Sequence, residues 1–283
     1  MVPAKHRQIP SATSKPSVAL PDQKANSHNC KTQKLLSEYS HIPADQHSHH
    51  VHTMRDKAWS IRSYPCTGLG VFLVPYIAKS FAYGTILRTL KDGGTYLDIG
   101  CFIGADMRQL VFDGAPSDRM VGVDIVSHWD VGFEMYRDQE TFKAKFAEAD
   151  ILNCDGVAEL DALKREVDVV NVSAVLHQWD WKGQVEAAEK ITAFSKVGTL
   201  IVGYQIGNIN GNEEAGSATG HRQKRHNPES FAKMWDVVGK RTATKWESKA
   251  WLRSWEHIGW DENDSKWLEK DDKVIDFVVT RLQ

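Results

Sequence analysis

The residues best placed to do chemistry are three aspartates that each follow a short apolar run: Asp98, Asp124 and Asp150. Asp98 leads into the turn Asp98-Ile99-Gly100-Cys101-Phe102-Ile103-Gly104, which has glycines at positions 100 and 104 and none between them. A turn that closes on a pyrophosphate needs G-x-G-x-x-G, so that the backbone can approach the diphosphate. Without that pattern, the turn is read as admitting an uncharged or cationic group, and Asp98 can attract a cation. Asp124 stands roughly 20 residues past the glycines, where nucleotide-binding folds read the hydroxyls of a ribose. Asp150-Ile151 pairs an acid for an adenine amino group with an aliphatic side chain for its ring, although Asp is also a common helix cap or turn residue. A ligand with a ribose, an ammonium and no phosphates is S-adenosylmethionine (SAM), the expected cofactor. Asp98, Gly100, Gly104, Asp124, Asp150 and Asn171 form the expected cofactor set.

A second group of residues bears on the acceptor. His177 follows the apolar run Val167–Val175, near the same edge as Asp98 and Asp124. His221, Arg222 and Arg225 fall in a stretch rich in glycine and asparagine, Gly207–His226. Either histidine is a candidate general base for a hydroxyl acceptor. Either arginine could instead steer a substrate carboxylate by bidentate hydrogen bonds, and a solvated loop is the alternative use of all four. Trp59 and Tyr64 precede the first strand and are candidate substrate contacts in a lid, or simply pack that segment onto the domain. His47, His49, His50 and His52 read as an exposed polar segment rather than a metal site, because His49 and His50 are adjacent and point apart on any regular element.

These residues need elements to hold them. Thr95–Ile99, Met120–Ile125, Phe146–Ile151, Val167–Val175 and Gly198–Ile206 read as strands, the fourth as a central buried one. A helix follows the glycine turn, with Met107, Leu110 and Val111 inward and Gly114-Ala115-Pro116 as its stop. Further helices are expected over Val131–Lys143, Asp155–Lys164, from Asp180, and from Asn227-Pro228 to Gly239. Thr244–Leu252 and Val274–Leu282 close the chain as two strands. Val71–Leu90 supplies helical material, with Ile77, Phe81, Ile86 and Leu87 as core. The result is an α/β fold whose doubly wound sheet has seven mostly parallel strands.

Composition narrows the class. The 283 residues are 41% hydrophobic and 25% charged, with a formal net charge of -2, which gives no electrostatic case for nucleic acid or an anionic membrane. Four scattered cysteines form no C-x-x-C pair, arguing for a reducing compartment and against a zinc site. No apolar signal core or membrane-length run is visible, so a cytoplasmic enzyme with a small-molecule substrate is expected, with homodimerisation left open. Residues 1–34 are polar and proline-rich and read as disordered, a transit peptide being the alternative. Residues 35–92 form a helical lid segment and 93–283 the SAM-binding domain.

The segments LLSEYSHIPADQ, HVHTMRDKAWSIRSYPC, YLDIGCFIGADMRQLVFDGAPSDRMVGVDIV, QVEAAEKI, LIVGYQIGN and RHNPESFAKMWDVVG resemble fungal natural-product methyltransferases. The resemblance spans about Leu35 to Gln283 and implies the Rossmann-like class I SAM-dependent methyltransferase fold, with a last strand inserted antiparallel beside the fifth. It implies that Asp124-Ile125 and Asp150-Ile151 hold the nucleoside, and that Asp98 and Gly100 hold the methionine end. Similar enzymes of meroterpenoid pathways esterify a carboxyl group on a farnesylated aromatic-derived acid. The chain departs from them at Gly68-Leu69-Gly70-Val71, which bears on the shape of the acceptor pocket. Two rivals remain at this level: a non-catalytic SAM-fold partner protein, against which the intact turn and acids argue, and a nucleotide-dependent oxidoreductase, which the missing glycine opposes.

Overall fold

The computed structural model describes residues 29–215, 222–260, 265–266 and 268–283. Helix α1 (Asn29–Lys34) runs into a π-helical turn, Leu35–Tyr39, and a 3-10 turn, Ala44–Gln46. Helices α2 (His47–Ile61) and α3 (Pro65–Gly68) follow, then 3-10 turns at Val71–Leu73 and Tyr76–Lys79, and α4 (Tyr83–Lys91). Alternation then begins: β1 (Tyr96–Ile99), α5 (Ala105–Phe112), β2 (Met120–Asp124), α6 (Trp129–Tyr136), β3 (Lys145–Glu148), α7 (Ala158–Asp161), β4 (Val167–Asn171), α8 (Trp181–Thr192) and β5 (Ser195–Asn208). A small hairpin of β6 (Glu213–Ala215) and β7 (Arg222–Lys224) leads to α9 (Pro228–Thr242), β8 (Trp246–Arg253) and β9 (Asp272–Arg281).

Seven strands form one sheet in the order β3-β2-β1-β4-β5-β9-β8. The first five in that order are parallel, and β9 lies antiparallel between β5 and β8. This is the expected seven-stranded sheet with its inserted antiparallel strand. Strand β1 is buried at every position, as its uninterrupted apolar sequence requires when helices cover both faces. The winding reverses between β1 and β4, and an open α/β sheet binds ligands in the crevice outside that reversal. Asp98 pairs in register with Gly122 on one side and Asn171 on the other.

Three apolar clusters fix the layers. On one face, Leu97, Val170, Ile201 and Phe277 pack under α8 and α9 through Val185, Ile191, Phe231 and Trp235. On the other, Tyr96, Met120 and Val169 meet Met107 and Leu110 of α5 and Ile86 of α4. The third joins Leu35, Leu36, Val51, Met54 and Leu73 of the N-terminal segment to Ile103 of the glycine turn and to Val131 and Met135 of α6.

Several sequence expectations are corrected. The disorder expected for residues 1–34 lies outside the described residues up to position 28, and from there α1 begins at Asn29, with the buried Thr32 hydroxyl donating to the Leu73 carbonyl at 2.5 Å. The helix expected over Val131–Lys143 stops at Tyr136, where Arg137 turns left-handed with φ 52°. The third strand ends at Glu148, because Asp150 caps a 3-10 turn, and the fourth ends at Asn171. The helix expected over Asp155–Lys164 is only the single turn α7. Helix α9 runs through Gly239, where an added Cβ would lie 2.7 Å from the Thr244 carbonyl oxygen, so this glycine permits a close approach rather than a stop. The stretch Gly207–His226 holds the end of β5 and the described strands of the β6–β7 hairpin rather than one long loop. Phe81 is 65% exposed and meets the Trp251 ring at a tilt, centroids 4.7 Å apart, instead of joining the core.

Candidate functional site

A cavity of about 330 Å³ opens at the carboxyl ends of β1, β2 and β4, within the size range of small-ligand sites. Its floor is the glycine turn. Gly100 has φ 73°, and an added Cβ there would meet Val175 at 2.3 Å, so only glycine fits. Gly104, with φ 70°, caps α5 against the Arg108 side chain. Between them stands Phe102, also left-handed at φ 50°, a conformation that costs an L-residue about 1–2 kcal/mol. Its N–H donates to Asp124 Oδ2 at 2.9 Å.

Asp124 ends β2 with its second oxygen facing the Val126 N–H at 3.4 Å. Burial raises its pKa, against the opposing pull of the Phe102 and Val126 N–H groups. At the other end, the Asn171 amide donates to Asp98 Oδ1 at 2.9 Å and to Asp106 Oδ2 at 3.0 Å, while Ser173 Oγ donates back to its carbonyl at 2.8 Å. Asp106 also accepts from the Ile77 N–H at 3.0 Å. Neither carboxylate has a cationic side chain in hydrogen-bond contact among the described residues. Burial, and then the Asp106 charge, push Asp98 well above the usual carboxylate range. Burial raises Asp106 to about 6, against the Ile77 N–H and the Asn171 amide. Asp98 is buried and Asp106 half-buried, they share one amide, and Lys79 acts on Asp106 only from beyond hydrogen-bond contact; such a pair suits a further cationic group.

Of the expected cofactor residues, the cavity lining brings together Asp98, Gly100, Asp124, Ile125, Asp150, Ile151 and Asn171. Ile125 is 44% exposed, an open apolar surface at the cavity's edge. Asp150 fills the turn role that the sequence offered as the alternative, accepting from Leu152 N at 3.0 Å and Asn153 Nδ2 at 2.8 Å.

The acceptor candidates fare differently. Tyr64 lines the cavity and Trp59 does not. His177 sits on the 3-10 turn Leu176–Gln178, but the neighbouring Val175, Gln178 and Trp179 face the cavity in its place. Burial and the nearby Arg225 lower His177 to about 4. Arg225 is 3% exposed and paired with buried Asp272, so it is not available to steer a substrate. Arg222 is exposed on β7 and is not among the lining residues, and His221 lies outside the described residues. Three histidines of the run meet backbone carbonyls: His47 faces that of Ile42 at 2.9 Å and His52 that of Ser48 at 2.9 Å, both nearby in the chain, and His50 faces that of Met135 on α6 at 3.0 Å. No metal-binding group occurs among the described residues.

Sequence reading missed Asp106, Phe102, Arg62, Tyr76 and Tyr204, all of which line the cavity. Asp106 carried a signal, as an acid in the first turn of the helix after the glycines. Tyr76 and Tyr204 line the cavity together with ring centroids 3.9 Å apart, a pairing no local pattern reveals. Arg62 is the one cationic side chain among the described lining residues and lies 5.0 Å from the Tyr64 ring.

The strand order, the turn and the acids together define a class I SAM-dependent methyltransferase. The fold matches a Burkholderia thailandensis 1,6-didemethyltoxoflavin-N1-methyltransferase with a TM-score of 0.52 at 13% identity, over 94% of this chain and 92% of that one. It matches a Haemonchus contortus phosphoethanolamine N-methyltransferase 2 with a TM-score of 0.52 at 15% identity, over 81% and 60%. Residues 22–73 match the family model described as the meroterpenoid methyltransferase N-terminal domain. The chain is 36% identical over 256 residues to O-methyltransferase atr3 of Stereocaulon alpinum, covering 89% of this chain and 72% of that one. It is 30% identical over 257 residues to the Asnovolin E/Chermesin D methyltransferase nvfJ of Aspergillus novofumigatus, covering 87% and 90%. The chain belongs to this family of fungal methyltransferases of secondary metabolism.

Proposed function

We propose that the enzyme methylates a carboxylate of a small-molecule intermediate, of meroterpenoid or polyketide type, in fungal secondary metabolism. The observation that carries this reading is that no histidine lines the cavity among the described residues. A carboxylic acid is already ionised at neutral pH and needs positioning but no general base, whereas a hydroxyl needs one. When bound, SAM supplies an electrophilic methyl group on a sulfonium. The chain aligns the partners for an in-line displacement. In this reading Asp124 holds the ribose, and Asp98 and Asp106 hold the ammonium, with Asn171 fixing their positions. Ile125 and Ile151 pack on the adenine, with Asp150 at its amino group. No helix of the described residues is long and apolar enough to cross a membrane.

Two measurements test it. Calorimetry with SAM and S-adenosylhomocysteine (SAH) should give binding that Asp124→Ala weakens by about 1–3 kcal/mol, the cost of a lost charged acceptor. Incubating the enzyme with methyl-labelled SAM and an extract of fungal metabolites should yield a product that releases labelled methanol on mild alkaline hydrolysis. A label that survives saponification belongs to an ether and excludes the ester.

A further inference from the structure

The midpoint of the glycine turn carries the bulkiest residue of that turn in a backbone conformation that bulky residues avoid. Phe102 has φ 50°, and strain of this kind persists only where the surroundings over-determine it, as at ligand clamps. Two sets of contacts do so. Through its backbone, Phe102 holds Asp124, the acid assigned to the ribose. Through its ring, it occupies the middle of a run of four. Tyr64 lies 6.2 Å from His128, His128 4.5 Å from Phe102, and Phe102 5.8 Å from Phe72, centroid to centroid.

The two inner rings belong to the cofactor side: Phe102 to the turn and His128 to the cap of α6. The two outer rings belong to the segment 62–76, which supplies Cys66, Thr67, Val71 and Tyr76 to the cavity. That segment is seated on the turn a second time by Leu73, which shares a buried cluster with Ile103. Glycine at position 102 would make the same turn without strain. What phenylalanine adds is the ring, and the ring contacts the roof of the cavity.

We propose that Phe102 is a positioning residue that couples occupancy of the cofactor subsite to seating of the 62–76 segment, so that the acceptor pocket is completed on the cofactor-loaded enzyme. The proposal rests on the SAM reading above. Cofactor contacts that pull on Asp124 act on the Phe102 N–H, and the Phe102 ring passes the change to Phe72 and, through His128, to Tyr64. Binding is thereby ordered, cofactor before acceptor, because the wall formed by Cys66, Val71 and Tyr76 takes its final place only over a filled subsite.

The test is amide hydrogen exchange across residues 62–76, with and without SAH, for the wild type, F102Y, F102A and F102G. SAH is expected to slow exchange by about tenfold or more in the wild type and in F102Y, which keeps the ring. F102A keeps the backbone strain and F102G relieves it. Both are expected to bind SAH within about tenfold of wild type, yet to lose the slowing. F72A removes the facing ring without touching the turn and should give the same loss, which guards against a folding defect in the turn variants. Slowing that is undiminished in F102A, F102G and F72A overturns the coupling. So does a folded F102A that no longer binds SAH, which would make the ring a plain wall of the cofactor subsite. A wild type that binds no SAH overturns the cofactor reading itself.

Discussion

Asp98 and Asp106 share a single donor nitrogen: Asn171 Nδ2 lies 2.9 Å from Asp98 Oδ1 and 3.0 Å from Asp106 Oδ2. Both acids line the cavity, Asp98 buried and Asp106 half-buried, and the Lys79 charge acts on Asp106. The folded protein holds Asp106 at about 6 against an ordinary 3.8. Between those values the folded state binds more protons than the unfolded chain. Stability from this group is therefore full at low pH and is lost as pH rises through about 6. An ammonium placed there restores it. The rise in Tm caused by SAM is expected to grow from about pH 5 to about pH 7.5 in the wild type and to stay nearly flat in Asp106→Asn. Equal pH dependence in the two proteins would remove Asp106 from the ammonium site.

A second expectation concerns stability alone. Arg108 is fully buried and grips Asp138 with two hydrogen bonds, at 2.7 and 3.0 Å, and Tyr39 donates to the same carboxylate at 2.7 Å. The guanidinium lies 4.2 Å from the Phe142 ring and 4.8 Å from Tyr136. Arg108→Met leaves Asp138 buried without a countercharge and should lose about 3–5 kcal/mol by urea denaturation. Replacing both partners with apolar residues should recover part of that loss. Equal losses in the single and double variants would show that packing, not the stranded charge, sets the cost.

For a carboxylate acceptor, the rate should stay nearly flat from about pH 7 to about pH 9 once methyl transfer is rate-limiting, because no group on the chain has to lose a proton. His177→Ala should cost little in kcat, since its ring does not line the cavity. A steep rise with pH that disappears in His177→Ala would make the acceptor a hydroxyl and His177 its base.

Removal of residues 1–34 should lower Tm relative to removal of 1–28. The longer cut deletes α1 and the buried Thr32 bond to Leu73, worth about 1 kcal/mol. Equal melting temperatures would show that α1 contributes nothing to holding the segment that bears Phe72.

Part of the cavity lining was legible because it is local. Asp98, Gly100 and Asp124 follow directly from apolar strands that end on acids and from the glycine turn, while Ile125 came from the family resemblance. Asp106 was legible only as an acid in the first turn of its helix, because its partner Asn171 lies 65 residues away. His177 and Arg225 were misread for a related reason. Each sits at the right edge of the sheet in sequence, but whether a side chain faces the cavity depends on the turn that carries it. The Val175–Trp179 turn presents its other residues, and Asp272 claims Arg225. The β6–β7 hairpin escaped notice because its short polar strands carry no alternating apolar pattern. Phe102 was visible only as a missing glycine, and its conformation and ring partners were not.

The position of β9 bears on how the chain is made. Strands β1 to β5 leave the ribosome in an order that lets them pair as they appear, yet the β5 edge must then wait. Strand β8 emerges first but does not pair with β5, because β9, translated last among the strands, takes the place between them. Until it arrives, the long β5 edge presents an open row of amides and carbonyls of the kind that pairs promiscuously with other chains. The nascent enzyme thus passes through a stage in which its nucleotide-binding half is already built while its sheet remains unsealed, and a nonsense mutation upstream of Asp272 would leave it there permanently.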